Sequence, residues 1–299
     1  MTHLLVSYHT CPMEEPGRGL SGGMNVFLRG LLRALSGMEA ATDVLTRATG
    51  DAPWVTTPFP GVRIFHVPCG WHDPPTRQSA YESLEAFLGR ARPLMREERI
   101  APQVVSAHYW MSGMAARRLA DAPMVLAYHT VEARKVPSGA QRDDPLARTR
   151  RREEERLAGE AARVVFFSEY DLAETSKALP ALSGKGVVIP PGVGEGFRRL
   201  PPRESARRFL GLPAEGTVFL LAARGDAGKN AGSALEAFRS LRSSREGKVR
   251  LLVAGQDGLS GDDAVFLGSV PHDGMPMLYA ASDAAVCPSR YESFGLVPL

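Results

Sequence analysis

Residues 103–129, QVVSAHYWMSGMAARRLADAPMVLAYH, decide the fold. The runs Gln103–Ala107 and Met124–Tyr128 are too apolar for a strand with one wet face, and Met111–Ala120 between them has a helical period. A strand, a helix and a second strand joined by short connections make a βαβ unit. Strands buried on both faces belong to a parallel sheet covered by helices on either side.

The same rhythm runs outward from this unit. Upstream lie His3–Tyr8, Met24–Leu35, Val44–Thr46, Val62–Val67 and Tyr81–Met95. Downstream come a charged helix around Arg148–Ala162, a strand at Arg163–Phe167, a helix near Glu169–Leu179 and a strand at Gly186–Ile189. The segment Pro190–Pro202, PPGVGEGFRRLPP, is the densest punctuation in the chain, so a boundary is expected there, with domains over residues 1–192 and 193–299. A second series follows: Val218–Ala223, a helix at Ala231–Leu241, Val249–Ala254, Ala264–Leu267, a helix near Met275–Ala281 and a strand at Ala284–Cys287. That is three or four strands of a doubly wound sheet that normally has about six.

Composition agrees with two cores. At about 150 residues per domain, 299 residues suggest two, and 44% hydrophobic residues are enough to fill both. Thirty-six Lys and Arg against 33 Asp and Glu leave a net charge of +3, too small an excess for a nucleic-acid partner, so any basic site must be local. Cys11, Cys69 and Cys287 are odd in number and widely spaced, which argues against both a disulfide framework and a structural zinc site. No run reaches the roughly 18 to 20 apolar residues that span a bilayer, and no export signal opens the chain, so a cytoplasmic protein is expected.

Several segments invite chemistry. Pro16–Gly23, PGRGLSGG, contains a formal G-x-G-x-x-G at Gly17, Gly19 and Gly22, but eight residues separate it from the first strand, which disfavours a dinucleotide fingerprint. Two readings remain: Gly22 and Gly23 let backbone N–H groups approach an anion at a helix start, or the glycines only serve turn geometry. In RGDAGK, Arg224 and Lys229 follow an apolar strand and precede a helix; Asn230 and the misplaced glycines rule out a P-loop. The two cations either neutralise a diphosphate or are solvated surface charges. None of the seven histidines has metal-ligand spacing, although His108 and His129 both stand at strand carboxyl ends, where open α/β sheets bind ligands. The run Arg148–Arg156, RTRRREEER, pairs Arg150 with Glu154 and Arg151 with Glu155 at i,i+4, which favours a solvated, self-paired helix face from which a single arginine can still turn inward.

Taken together, SGGMNVFLRGLLRAL at 21–35, SAHYWMSGMAARRLA at 106–120, YHTVEARK at 128–135, VIPPGV at 188–193, RGDAGK at 224–229 and the stretch 266–299 ending in ESFGLVPL resemble the retaining nucleotide-sugar glycosyltransferases of family 4. The GGMN and HYW-S-G forms are most similar to the branch holding the inositol-phosphate glycosyltransferases and the sucrose-phosphate synthase-like enzymes. The resemblance implies the GT-B fold, two Rossmann-like parallel-sheet domains facing a cleft, the second incomplete here. It also implies hexosyl transfer from a nucleotide-diphosphate sugar, UDP by branch, to a small hydroxylated acceptor that can carry a phosphate. No cofactor or metal is expected, and a homo-oligomer is compatible with the family.

By position, the family's roles fall as follows. Gly22 and Gly23 supply backbone donors to the donor diphosphate, and Arg224 and Lys229 neutralise it. Glu292, with the backbone of Phe294, Gly295 and Leu296, binds the sugar nucleotide, and His129 faces the transferred sugar. His129, Arg224, Lys229 and Glu292 form the implied catalytic set, while Asn25, Tyr109, Thr130 and Arg150 line the acceptor pocket.

There are departures. The second glutamate of the E-x7-E signature would fall at position 300, so a truncated chain with weak or no donor binding is expected. Pro68–Ser79 has no lysine where the inositol-phosphate branch places a phosphate ligand, and Arg77 is the available substitute. Ala223 replaces the usual glycine before Arg224, and GVGEGF lacks the usual linker aspartate. The competing readings are a non-catalytic sugar- or nucleotide-binding remnant and, less favoured, an NAD-dependent oxidoreductase.

Overall fold

Strands that alternate with helices rejoin their sheet by crossovers, and right-handed crossovers of this kind lay the strands parallel. The computed structural model describes residues 2–16, 20–70, 76–135, 144–223, 227–244, 249–255, 264–293, 295 and 297. The chain divides into two compact units with the boundary between Pro191 and Gly192.

The first unit's sheet contains β1 (His3–Val6), β2 (Thr42–Arg47), β3 (Val55–Phe59), β4 (Val62–Val67), β5 (Val104–His108), β6 (Met124–Ala127), β7 (Arg163–Phe166) and β8 (Gly186–Val188). Their order across the sheet is β3-β4-β2-β1-β5-β6-β7-β8. All neighbours pair in parallel except β3 and β4. The antiparallel β3 departs from the uniformly parallel sheet expected from sequence. It is a half-exposed edge strand, a position that tolerates the missing N–H of Pro58. It turns back into β4 around Gly61, whose φ of +72° suits glycine.

Successive strand residues point to opposite faces, and the core divides accordingly. Leu5, Val44 and Ile64 pack on Leu28 and Leu32 of α1 (Gly23–Gly37). Leu4, Val6, Leu45 and Leu126 face the other way with Phe87 and Leu157. The helix expected at Tyr81–Met95 is two: α2 (Arg77–Glu82), whose Thr76 cap accepts the Ser79 N–H at 3.0 Å, and α3 (Leu84–Glu97). α4 (Trp110–Leu119), α5 (Pro145–Glu160) and α6 (Glu169–Ala178) complete the unit. α4 and α5 approach closely at Gly113, where a Cβ would lie 2.9 Å from a Leu157 methyl carbon.

After α7 (Glu195–Arg198) and α8 (Arg203–Phe209), the second unit forms its own parallel sheet from β9 (Thr217–Ala222), β10 (Val249–Ala254), β11 (Val265–Phe266) and β12 (Ala284–Ala285), in the order β11-β10-β9-β12. α9 (Ala231–Ser244) packs Phe238 on the Leu221, Leu251 and Val253 face. α10 (Met275–Ala281) covers the Leu220 and Leu252 face through Leu278. Arg207, 1% exposed, latches the unit: it donates to the carbonyls of Ala281, Ala214 and Gly216 and meets Asp283 Oδ2 at 2.6 Å. Among the described residues no helix is long and apolar enough to cross a membrane.

In each sheet the strand order reverses about one strand. Chain direction away from β1 differs on its two sides, with β2 on one and β5 on the other, and β9 has β10 and β12 in the same relation. Such switch points open crevices at the strand carboxyl ends.

Candidate functional site

The first crevice is framed by residues that leave β1, β2, β5 and β6. Tyr109 and His129 follow β5 and β6 with φ of +80° and +60°, left-handed conformations that non-glycine residues adopt at a cost of about 1–3 kcal/mol each.

Arg150 lies at the centre of the polar network. It projects from α5 and is 3% exposed, and Glu154 one turn later is fully buried, so this face is covered rather than solvated, against the favoured sequence reading. The i,i+4 pair itself forms, with Arg150 Nε donating to Glu154 Oε1 at 2.6 Å. Glu155, expected to pair with Arg151, accepts the Ala181 N–H at 2.9 Å. Arg150 also donates from Nη1 to the Tyr109 hydroxyl at 2.9 Å and from Nη2 to the Thr130 carbonyl at 2.5 Å and hydroxyl at 3.1 Å. Its guanidinium carbon stands 4.7 Å from the Tyr109 ring centre, and Glu132 Oε2 lies 3.2 Å from Nη1. Tyr109, Thr130 and Arg150, three of the four residues expected to line the acceptor pocket, are therefore one hydrogen-bonded cluster.

Asn25, the fourth, stands apart from it. Its Oδ1 accepts the Gly22 N–H at 2.8 Å, and its Nδ2 donates to Thr10 Oγ1 at 2.9 Å and to the Cys11 carbonyl at 2.6 Å. These bonds tie the start of α1 to the loop after β1. Gly22 is half-buried and Gly23, the first residue of α1, is exposed.

Four residues to which sequence gave no role lie in or beside the cluster. Lys135 meets Glu132 Oε2 at 2.7 Å, and burial, followed by the charge of Arg150, brings its ammonium pKa down to about 8. Burial pushes the Glu132 carboxyl up, but the Lys135 hydrogen bond and the Arg150 charge hold it below the ordinary range. Burial dominates at Glu154 and raises it despite Arg150. His9, after β1, lies 4.3 Å from the Tyr109 ring, and burial together with Arg47, Arg150 and Arg77 lowers its pKa to about 3. Arg47, at the end of β2, is 1% exposed; its Nε and Nη1 are sealed without a hydrogen-bond partner among the described residues. LTRATG carries no pattern that marks Arg47, whereas Glu132 and Lys135 lie inside the YHTVEARK segment already singled out.

His129 belongs to a second group. Its Nε2 lies 3.0 Å from His108 Nδ1, and Phe27 and Phe167 flank its ring at 5.3 and 5.2 Å. Burial and then the neighbouring His9 lower its pKa to about 3, and burial takes His108 well below the ordinary range. Both imidazoles are neutral at physiological pH.

In the second unit, Lys229 ends a 3-10 turn at Ala227–Lys229, beyond β9, and its Nζ meets Glu292 Oε1 at 2.5 Å. The Arg290 N–H donates to the Gly228 carbonyl at 3.0 Å and joins the two loops at the carboxyl ends of β9 and β12. Gly295, with φ of +87°, is buried. Lys229 and Glu292 are thus brought together, while Arg224, Phe294 and Leu296 lie outside the described residues. Among the described residues no three His, Cys, Asp or Glu side chains are grouped as a metal site requires.

Comparison with known proteins matches residues 22–192 to the glycosyl transferase 4-like domain and residues 202–299 to glycosyl transferases group 1. The D-inositol 3-phosphate glycosyltransferase of Nocardiopsis dassonvillei is 33% identical over 98% of this chain and 74% of its own length. That of Thermobispora bispora is 32% identical, with the same two coverages of 98% and 74%. Among solved structures, sucrose-phosphate synthase from Thermosynechococcus elongatus superposes with a TM-score of 0.85 at 25% identity, over 99% of this chain and 77% of that one. The catalytic domain of starch synthase IV from Arabidopsis thaliana, at 15% identity and a TM-score of 0.69, covers 99% of this chain and 79% of its own and shares the fold.

Proposed function

Since this chain belongs to the family-4 glycosyltransferases of GT-B type, we propose that it transfers a hexosyl group, with retention, from a UDP-sugar to a small hydroxylated acceptor bearing an anionic group such as phosphate. The observation that carries the acceptor half is the buried Arg150 cluster at the carboxyl edge of the first sheet. There a guanidinium bound to Tyr109 and Thr130 stands beside Lys135, an ammonium that remains largely charged at pH 7. Lys135 supplies a point charge for a phosphate, while Arg150, whose donors are taken by Glu154, Tyr109, Glu132 and Thr130, holds the pocket groups in place.

The donor half rests on Lys229 and Glu292. In the free protein each satisfies the other's charge. In the proposed complex Lys229 turns to the donor diphosphate with Arg224, and Glu292 accepts from hydroxyls of the donor sugar. The glycosidic bond breaks as negative charge grows on the β-phosphate, and fixed cations and helix-start amides at Gly22 and Gly23 lower that barrier. The acceptor oxygen attacks the same face of the oxocarbenium-like sugar, and its proton passes to the departing phosphate. No enzyme carboxylate is consumed in this scheme.

Two measurements test the reading. Calorimetry with UDP-glucose, UDP-GlcNAc and GDP-mannose decides between the readings: heat with a UDP-sugar and not with GDP-mannose supports the transferase, and no heat with any of them supports the non-catalytic remnant. In a transfer assay, Lys229→Ala is expected to lower kcat more than about tenfold, as loss of a transition-state charge contact of a few kcal/mol requires. Unchanged turnover would remove the diphosphate assignment.

A further inference from the structure

His108 and His129 leave adjacent parallel strands whose register pairs His108 with Ala127. That register brings the two rings together, with His108 Nδ1 and His129 Nε2 3.0 Å apart. Two neutral imidazoles share such a contact when one nitrogen carries the proton and the other accepts it. There are two arrangements, and the surroundings separate them.

If His129 donated from Nε2–H, His108 would carry its own proton on Nε2. That atom is sealed from solvent without a partner among the described residues, so a buried N–H would go unmet. If His108 donates from Nδ1–H, its Nε2 is only a bare lone pair. Orphaned buried donors are rarer in folded proteins than under-used acceptors. The second arrangement leaves His129 one place for its proton, Nδ1.

We infer that His108 is a positioning residue that fixes His129 as a neutral imidazole with its proton on Nδ1, so that His129 offers a hydrogen-bond donor to an oxygen of a bound sugar. Burial of His108 and the apolar rings of Phe27 and Phe167, 5.0 Å apart beside the half-buried His129, disfavour a charge on the pair. A neutral donor can orient a sugar hydroxyl without adding positive charge near the anomeric carbon, where positive charge grows as the glycosidic bond breaks. The sugar as ligand rests on the proposed function; the tautomer does not.

The test is a long-range proton–nitrogen correlation spectrum of the 15N-histidine-labelled chain at pH 7 and 5.5. His108 and His129 are expected to show protonated Nδ1 and bare Nε2 at both values. A protonated Nε2 on His129, or an imidazolium at pH 5.5, would overturn the inference. His108→Asn, whose amide N–H reaches the place of Nδ1–H, is expected to preserve the His129 tautomer, while His108→Leu releases it to the Nε2–H form that free histidine favours. If His108→Leu does not fold, the parent spectrum still decides. In sugar transfer, His108→Leu is expected to lose about tenfold in kcat, the effect of one well-placed hydrogen bond, with His108→Asn near the parent and the acceptor KM unchanged. Equal losses in both variants would overturn the positioning role. Absence of transfer in the parent chain would refute the proposed function and leave the spectroscopic result standing.

Discussion

Replacing Arg150 by methionine keeps the bulk of the side chain and removes its charge, and the environment sets the consequence. Glu154, fully buried, loses its partner at 2.6 Å, and Glu132 loses one at 3.2 Å. A buried ion left by its partner costs about 3–5 kcal/mol, a large part of a total folding stability of about 5–15 kcal/mol. For a unit of this size, about 2–4 °C per kcal/mol gives a drop in Tm of about 6–20 °C. The pH dependence has a definite sign. Burial already raises the Glu154 carboxyl, and Arg150 opposes that rise, so its removal raises the folded-state pKa further. Between the unfolded value of about 4.3 and the higher folded one, the native state binds more protons, so stability falls as pH rises. The deficit is therefore larger at pH 7 than at pH 5. Thermal unfolding followed by circular dichroism at both pH values measures it. The double variant Arg150→Met/Glu154→Leu is expected to recover at least about half of the loss, because apolar groups can replace a buried pair at little cost. A single variant within about 2 °C of the parent at pH 7 would refute this account of the cluster.

Further expectations concern other parts of the molecule. The Lys135 ammonium has a pKa depressed to about 8, so its charge is lost as pH rises through that value; the KM for an anionic acceptor is expected to climb between pH 7 and 9, and Lys135→Met to flatten that climb. A climb that survives the substitution would exclude Lys135 from binding. Gly113→Ala places a Cβ 2.9 Å from Leu157 and 3.2 Å from Leu126, both fully buried, and is expected to cost about 1–3 kcal/mol, measured by urea denaturation; a neutral effect would mean that α4 and α5 can separate freely. Arg207→Met removes the donor to three carbonyls and to Asp283 and is expected to destabilise the second unit by at least about 2 kcal/mol; protease-susceptibility mapping that finds no faster cleavage after Gly192 would contradict this.

The parallel βαβ frame was legible because strands such as Leu4–Val6 meet apolar side chains on both faces and must be apolar throughout. β3 was not, because a half-exposed edge strand containing Pro58 has no such pattern. The burial of Arg150 was hidden for a different reason. An arginine four residues before a glutamate reads the same whether water or protein covers that helix face, and the cover here comes from Tyr109 and Thr130, 41 and 20 residues away. The His108–His129 contact depends in the same way on which strands become neighbours. Sequence placed both histidines at strand ends and could go no further, since neither spacing nor period encodes sheet order. Arg47 shows the limit most plainly: a single cation at the end of a strand has no local pattern that announces its burial.

The latch between Arg207 and Asp283 joins residues 76 positions apart, whereas the first unit has its last strand by Val188. Domains generally fold in the order of synthesis. On the ribosome, then, the first unit is complete while the second still lacks the carboxylate that closes it, and through that interval Arg207 is an unmatched charge in an unfinished core.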